Sequence, residues 1–172
     1  MTVQTIPLTI QPATEKDIPL IEQLAHKIWH EHYITIISKE QIEYMLNAWY
    51  SAKSIEQQMR TGGKFFIVYQ EDEAVAYASI QVKDDCNFLN KFYVDVSKHR
   101  GGIGTQFFNY LLQQMDATKP VRLQVNRQNY KAVNFYFKNG FTIEKVIDLH
   151  VGENFYMNDF IMIRQLGNSA IR

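Results

Sequence analysis

Apolar residues recur every three or four positions through the first third of the chain: Ile18, Ile21, Leu24, Ala25 and Ile28, then Ile42, Met45, Leu46 and Trp49. That is the period of an amphipathic helix with one buried face. Each run has a start signal, Thr14 with Asp17 three residues on and Ser38 with Gln41, a hydroxyl N-cap followed by a side chain able to reach back. A third, shorter helix is predicted to begin near Ser54 and to end at Gly62-Gly63. Residues 7–11, ahead of the helices, alternate weakly and read as a first strand.

Beyond residue 63 the period falls to two or vanishes. Residues 65–69 are an unbroken apolar run, as in a central strand covered on both faces, and 74–82 read as its hairpin partner across the turn Glu71-Asp72-Glu73. After the turn Asp84-Asp85, residues 88–96 alternate, with Asn90, Phe92, Val94 and Val96 assigned to one face. A helix follows that buries Phe107, Phe108, Leu111, Leu112 and Met115, then a short strand of Val121, Leu123 and Val125. A second helix runs from Asn129 to Asn139 and stops at Gly140; strands 141–150 and 155–164 close the chain as a hairpin around Gly152, and the tail after Leu166 is expected to fray. The order β-α-α-β-β-β-α-β-α-β-β implies an α+β (α/β-like) fold, a mixed sheet with helices on both faces. One domain, 1–172, is expected: 1–63 a strand and helices, 64–166 the core.

With 172 residues, 46% hydrophobic and 13% aromatic, the chain can bury one substantial core. Lys plus Arg and Asp plus Glu both number 18, so no net field draws the protein to nucleic acid or an anionic membrane. Any phosphate binding is therefore local. The single cysteine, Cys86, excludes an internal disulfide and fits a reducing cytoplasm. No stretch approaches the roughly 20 apolar residues of a membrane span, and the start lacks the basic n-region of a signal peptide.

One such local site is written at a strand-to-helix junction, His99-Arg100-Gly101-Gly102-Ile103-Gly104-Thr105. Glycines let the backbone approach a ligand and take positive φ, and the first helical turn leaves N–H groups unpaired at the positive end of the dipole. Together they suit a diphosphate, with Lys98, His99 and Arg100 adding charge on the same lip. The loop is not a P-loop, since no Lys follows Gly104, nor a dinucleotide fingerprint, since no third glycine follows. A glycine-rich turn that only feeds a helix remains open at this point.

One strand later, Asn129 and Tyr136 lie seven residues apart on one helix, an amide and a phenol able to face the same ligand. Together these segments resemble the GNAT superfamily of N-acetyltransferases. Its acetyl-CoA loop, Gln/Arg-x-x-Gly-x-Gly/Ala, maps onto His99 to Gly104, with both glycines matched and His99 at the leading position. Its second pattern, Asn-x-x-Ala-x-x-x-Tyr, is met by Asn129, Ala132 and Tyr136, followed by Gly140-Phe141; Phe92-Tyr93-Val94 stands where the family often has Leu-Tyr-Val. The resemblance covers about residues 65–164.

It implies a mixed, mostly antiparallel sheet of about seven strands and direct acetyl transfer from acetyl-CoA to a primary amine, without metal. Phe92, Tyr93, Val94, His99 to Thr105, Asn129, Tyr136 and Lys138 would hold the cofactor. The strand of Phe92 to Val94 would splay from its neighbour at a bulge, an N–H there would polarise the thioester carbonyl, and Tyr136 would protonate the leaving sulfur. Tyr136 as a plain core aromatic is the competing reading.

The superfamily has no fixed base. Trp29, His30, Glu31, His32 and Tyr33, with Glu153, Tyr156, Asn158 and Asp159, are the candidates where the acceptor is expected, and aromatics with carboxylates would suit a cationic amine. Glu31 is taken as the base, and Trp29, Glu31, Tyr33, Asn126, Tyr156 and Asp159 as substrate-binding. A solvated helix end for Glu31 and a strand-edge charge for Asp159 are the plainer readings. The two stretches also look similar to bacterial polyamine acetyltransferases, which would make the acceptor a polyamine or diamine. The alternatives are an idle acetyl-CoA-binding regulatory module and a protein N-terminal or lysine acetyltransferase. A homodimer is suggested by analogy; His26 and His30 share a helix face, but no third ligand supports a metal.

Overall fold

The computed structural model of the chain describes residues 7–98 and 101–167. Seven strands form one mixed sheet in the order β1-β2-β3-β4-β5-β7-β6. They are β1 (Leu8–Pro12), β2 (Lys64–Gln70), β3 (Glu73–Val82), β4 (Asn87–Val94), β5 (Val121–Asn126), β6 (Thr142–Gly152) and β7 (Phe155–Arg164). The helices are α1 (Ile18–His32), α2 (Lys39–Trp49), α3 (Ala52–Arg60), α4 (Ile103–Gln113) and α5 (Tyr130–Lys138). The mixed sheet expected from the sequence is present, and so is the third, shorter helix before β2. Among the described residues no helix is long and apolar enough to cross a membrane.

The chain divides into two compact units, Met1–Ile80 with Lys91–Gln114, and Gln81–Asn90 with Met115–Arg172. In the first, the helix starts behave as their sequences dictate. Thr14 N donates to Asp17 Oδ2 at 2.7 Å ahead of α1, and Ser38 Oγ accepts from Gln41 N at 3.1 Å ahead of α2. The third helix starts earlier than the expected Ser54, because Ser51 takes the cap and accepts from Ser54 N. Ile18, Ile21, Leu24, Ala25 and Ile28 are all buried, as are Ile42, Met45 and Leu46. Trp49 departs from the expectation at 37% exposed, since α2 ends there and Tyr50, turned inward as its C-cap, fills the core position.

β2 pairs antiparallel with β1 and β3. β4 pleats so that Asn87, Leu89 and Lys91 are buried, whereas the sequence had assigned Asn90, Phe92, Val94 and Val96 to a common face. Val96 is not in the strand at all but in a short 3-10 turn, Val96–Lys98. Phe92 meets the rings of Phe107 and Phe108 on α4, at 5.5 and 6.2 Å, while Tyr93 meets Trp29 on α1 at 6.1 Å. Because neighbouring residues of a strand point to opposite faces, α1 and α4 cover opposite faces of the sheet.

In the second unit, β4 and β5 run parallel with Asn87, Phe88 and Leu89 opposite Val121, Arg122 and Leu123. β5 pairs antiparallel with β7, and β7 with β6. The β6–β7 turn is the two-residue Glu153-Asn154 rather than Gly152 itself; both have positive φ, 47° and 64°, the type I′ geometry whose twist suits a hairpin.

Gly102 sits just before α4 with φ 69° and ψ 10°, in open space. A side chain there meets no neighbour but is strained in the left-handed region. Gly102→Ala is expected to cost about 1 kcal/mol, read as a lower urea midpoint at unchanged m-value.

Candidate functional site

In the first unit the site begins at the N-terminus of α4. Among the described residues no side chain caps this helix: Gly102 is the N-cap residue, its carbonyl accepting from Gln106 N at 3.1 Å. The first-turn N–H groups therefore lack the side-chain acceptor that Ser38 gives α2. Ile103 is buried and anchors the turn, and Gly101, Gly102 and Thr105 are exposed. His99 and Arg100, named with this loop, lie outside the described residues. Lys98 pairs with Glu73 at 3.1 Å.

Tyr93 belongs to an aromatic cluster on the α1 side of β4. Trp29 stacks on Tyr33 at 4.3 Å and meets Tyr50 at 5.0 Å; Tyr77 stacks on Tyr93 at 5.4 Å. The hydroxyls of Tyr50 and Tyr93 are hydrogen-bonded at 2.8 Å, and burial pushes both phenols up. Two of the expected acceptor-site residues, Trp29 and Tyr33, are thus brought together. The third from this stretch, Glu31, is exposed on the last turn of α1. His30 Nδ1 faces the His26 carbonyl at 2.7 Å and Nε2 faces Glu43 at 2.6 Å. The Glu43 bond, and then the His26 carbonyl, favour the protonated ring and raise its pKa.

Lys91 was not foreseen. It is 5% exposed, its Nζ lies 4.6 Å above the Tyr50 ring, and burial alone lowers its pKa to about 8. Its signal in the sequence is the odd-numbered alternation Leu89, Lys91, Tyr93.

In the second unit, Asn129 caps α5: its Oδ1 accepts from Ala132 N at 3.2 Å and its carbonyl from Val133 N at 3.0 Å. Tyr136 is 6% exposed, with the rings of Phe135 and Phe141 at 5.6 and 5.4 Å. Lys138 is exposed on the last turn of the helix. Asn126 stands opposite Asp159 in the β5–β7 ladder.

Asp159 is no solvated edge charge. It is 1% exposed, Oδ2 accepts from Gln124 Nε2 at 2.7 Å, Oδ1 has no partner, and burial raises its pKa. Gln124, a residue the sequence did not single out, is what holds it. Tyr156 is exposed, its ring 5.1 Å from that of His150. Arg127 and Asn158 converge on Asp148.

An open mixed sheet of seven strands with a glycine-led helix after β4 is the fold of the CoA-dependent acetyltransferases. The chain belongs to the acetyltransferase (GNAT) domain family, whose model matches residues 34–148, and it is an acetyl-CoA-dependent N-acetyltransferase. No curated protein is a significant match to its sequence. Among solved structures, the PaiA N-acetyltransferase from Thermoplasma acidophilum, in complex with coenzyme A, is 21% identical with a TM-score of 0.73, covering 92% of this chain and 99% of its own. The ribosomal-protein-S18-alanine N-acetyltransferase from Escherichia coli is 19% identical at 0.71, covering 96% of each chain. Naa50 from Arabidopsis thaliana, in complex with the bisubstrate analogue CoA-Ac-MVNAL, is 15% identical at 0.66, covering 92% of this chain and 98% of its own. At such identities the likeness is one of fold.

The buried amine has a consequence for stability. Folded Lys91 loses its proton near pH 8, while the unfolded chain keeps it to about 10.5, so this group costs stability below pH 8 and the cost fades as pH rises through that window. Lys91→Met is expected to stabilise the protein at pH 7 by on the order of 3 kcal/mol. The gain should shrink between pH 8 and 10.5 in thermal melts of both proteins.

Proposed function

We propose that the protein transfers the acetyl group of acetyl-CoA directly to the primary amine of a small molecule in the cytoplasm. The observation that carries the donor half is the uncapped N-terminus of α4 behind left-handed Gly102, a ready anion site for the pyrophosphate. By the family resemblance, His99, Arg100, Gly101, Ile103, Gly104 and Thr105 complete that loop, and Lys138 answers an outer phosphate. Phe92, Tyr93 and Val94 run beside the pantetheine and thioester.

The amine attacks the thioester carbonyl, and the tetrahedral intermediate collapses with coenzyme A leaving as thiolate. Tyr136 protonates that sulfur. Its burial and the two flanking rings suit the role, since a fixed phenol delivers its proton without reorganisation. Asn129 acts by capping α5, which sets the height of Tyr136 on the helix.

Glu31 and Asp159 are the two candidates for the proton of the incoming ammonium. Glu31 is solvent-facing on the last turn of α1. Asp159, its pKa raised by burial and its Oδ1 unpartnered among the described residues, is the stronger base of the two. Tyr156, exposed on β7, and Asn126, opposite Asp159, are the acceptor-side contacts proposed with it. A protein N-terminal acceptor is a reading of the same fold, and the CoA-Ac-MVNAL complex of Naa50 makes it a necessary arm of any screen.

Coenzyme A release measured across a panel of small amines, diamines, polyamines and N-terminal peptides tests the acceptor class; turnover confined to peptides rejects the small-molecule reading. Tyr136→Phe should slow kcat by about a hundredfold while leaving the Kd for acetyl-CoA nearly unchanged, and normal turnover removes Tyr136 from the mechanism. The base must be unprotonated to act, so kcat/KM falls as pH drops through its pKa. Of Glu31→Gln and Asp159→Asn, the one that abolishes this acid limb identifies the base.

A further inference from the structure

Around the Tyr50–Tyr93 pair, hydrogen-bond donors outnumber acceptors. Lys91 Nζ carries three N–H bonds and, among the described residues, makes no hydrogen bond or ion pair; it lies 4.6 Å from the centre of the Tyr50 ring. Trp29 Nε1 is directed at the Tyr50 hydroxyl without the geometry of a full hydrogen bond, and the Tyr77 hydroxyl has no partner among the described residues. The bond between the Tyr50 and Tyr93 hydroxyls uses one of their two protons and leaves the other for a further acceptor.

These groups are held close by their rings. Trp29 is 5.0 Å from Tyr50 and 6.1 Å from Tyr93, and Tyr77 is 5.4 Å from Tyr93. Two carboxylates of the same unit are engaged in pairs of their own. Asp95 is taken by Lys27 at 2.5 Å and by Ser97 at 2.7 Å, and Glu43 by His30 at 2.6 Å. Trp29, Tyr50, Tyr77 and Lys91 are buried, and Tyr93 is half-buried.

A buried ammonium with neither counter-ion nor carbonyl is an unusual thing to keep in a core. A polyamine does not relieve it, because a second cation is repelled. A carboxylate does, since its two oxygens offer about four lone pairs to the ammonium, the indole N–H and the phenols, through charge-assisted bonds.

We propose that the Lys91–Trp29–Tyr50–Tyr93 cluster receives a carboxylate of the acceptor, so that the substrate is an amino acid, a small molecule bearing both the reacting amine and a carboxylate. This rests on the small-molecule amine reading and narrows it. The transfer itself gains no step: the amine nitrogen bonds to the acetyl carbon, the carbon–sulfur bond breaks, and the amine proton passes to the base.

The test is a matched series of amino acids, each beside the amine left by removing its carboxylate, with lysine and cadaverine, and ornithine and putrescine, among the pairs. The expected result is a kcat/KM at least about tenfold higher for the acid member of an accepted pair. Lys91→Met should bring that ratio towards one, and Trp29→Phe, which keeps a ring but removes the N–H, should lower it part of the way. Circular dichroism confirms that each variant is folded. Equal or better use of the decarboxylated amines, or a ratio that Lys91→Met does not move, overturns the carboxylate site while leaving the small-amine acetyltransferase standing. Acetylation of no member of any pair overturns both.

Discussion

The period-two pleat of β4 forces Phe92 and Tyr93 onto opposite faces of the sheet. Phe92 is held by the rings of Phe107 and Phe108, which fixes α4 against one face and so aims its uncapped N-terminus. Tyr93 and Lys91 are thereby committed to the other face, against Trp29 of α1 and the residues Tyr33 and Tyr50 that end α1 and α2. A one-residue slip of this strand would exchange the two sets. It would put an ammonium among the phenylalanines of α4 and a phenylalanine among the phenols.

The cluster is costly by the ordinary rules of cores. Tyr77 and Trp29 each bury a polar hydrogen without a partner, and Lys91 buries a charge. Each such group is worth roughly 1–3 kcal/mol against folding, more where charge is involved. Aromatic pairing returns part of that, about 0.5–1.5 kcal/mol for each well-placed pair. The ammonium over the Tyr50 ring recovers some more. A phenylalanine and a methionine in the same places would leave fewer groups unsatisfied, which is why the polar atoms read as serving a ligand.

What was legible in the chain was local chemistry. Gly102 takes positive φ, Asn129 caps a helix, and Ser38 and Thr14 mark helix starts, because each acts within three or four residues of itself. The apolar stripes of α1 and α4 carried their own buried faces. Where long-range order decides, the chain was harder to read. Asp159 looked like an edge charge because nothing in its neighbourhood says that β7 lies between β5 and β6, where it is enclosed and bonded by Gln124. Trp49 fitted the helical period, yet α2 ends under it and Tyr50 is buried in its stead. In β4 both alternations carry polar residues, Asn87 and Lys91 on one and Asn90 on the other, so hydrophobicity alone could not choose the inward face. Asn87 is buried because the Asp116 and Lys119 carbonyls and the Asp116 N–H satisfy its amide, and that loop is far away in sequence.

The same reasoning separates the two halves of the reaction. A diphosphate is bound by backbone N–H groups at a helix end, so the donor needs only a turn geometry that a short motif can encode. An acceptor is chosen by side chains from several elements whose meeting depends on the whole fold. Trp29 and Tyr33 were expected to welcome a cation through their ring faces, and alone they would. Lys91 reverses the sign of that expectation, because the nearest ring face is already covered by an ammonium of the protein's own. An aromatic cage with a built-in cation selects for negative charge. Its rings act through hydroxyl and indole hydrogens rather than through their faces.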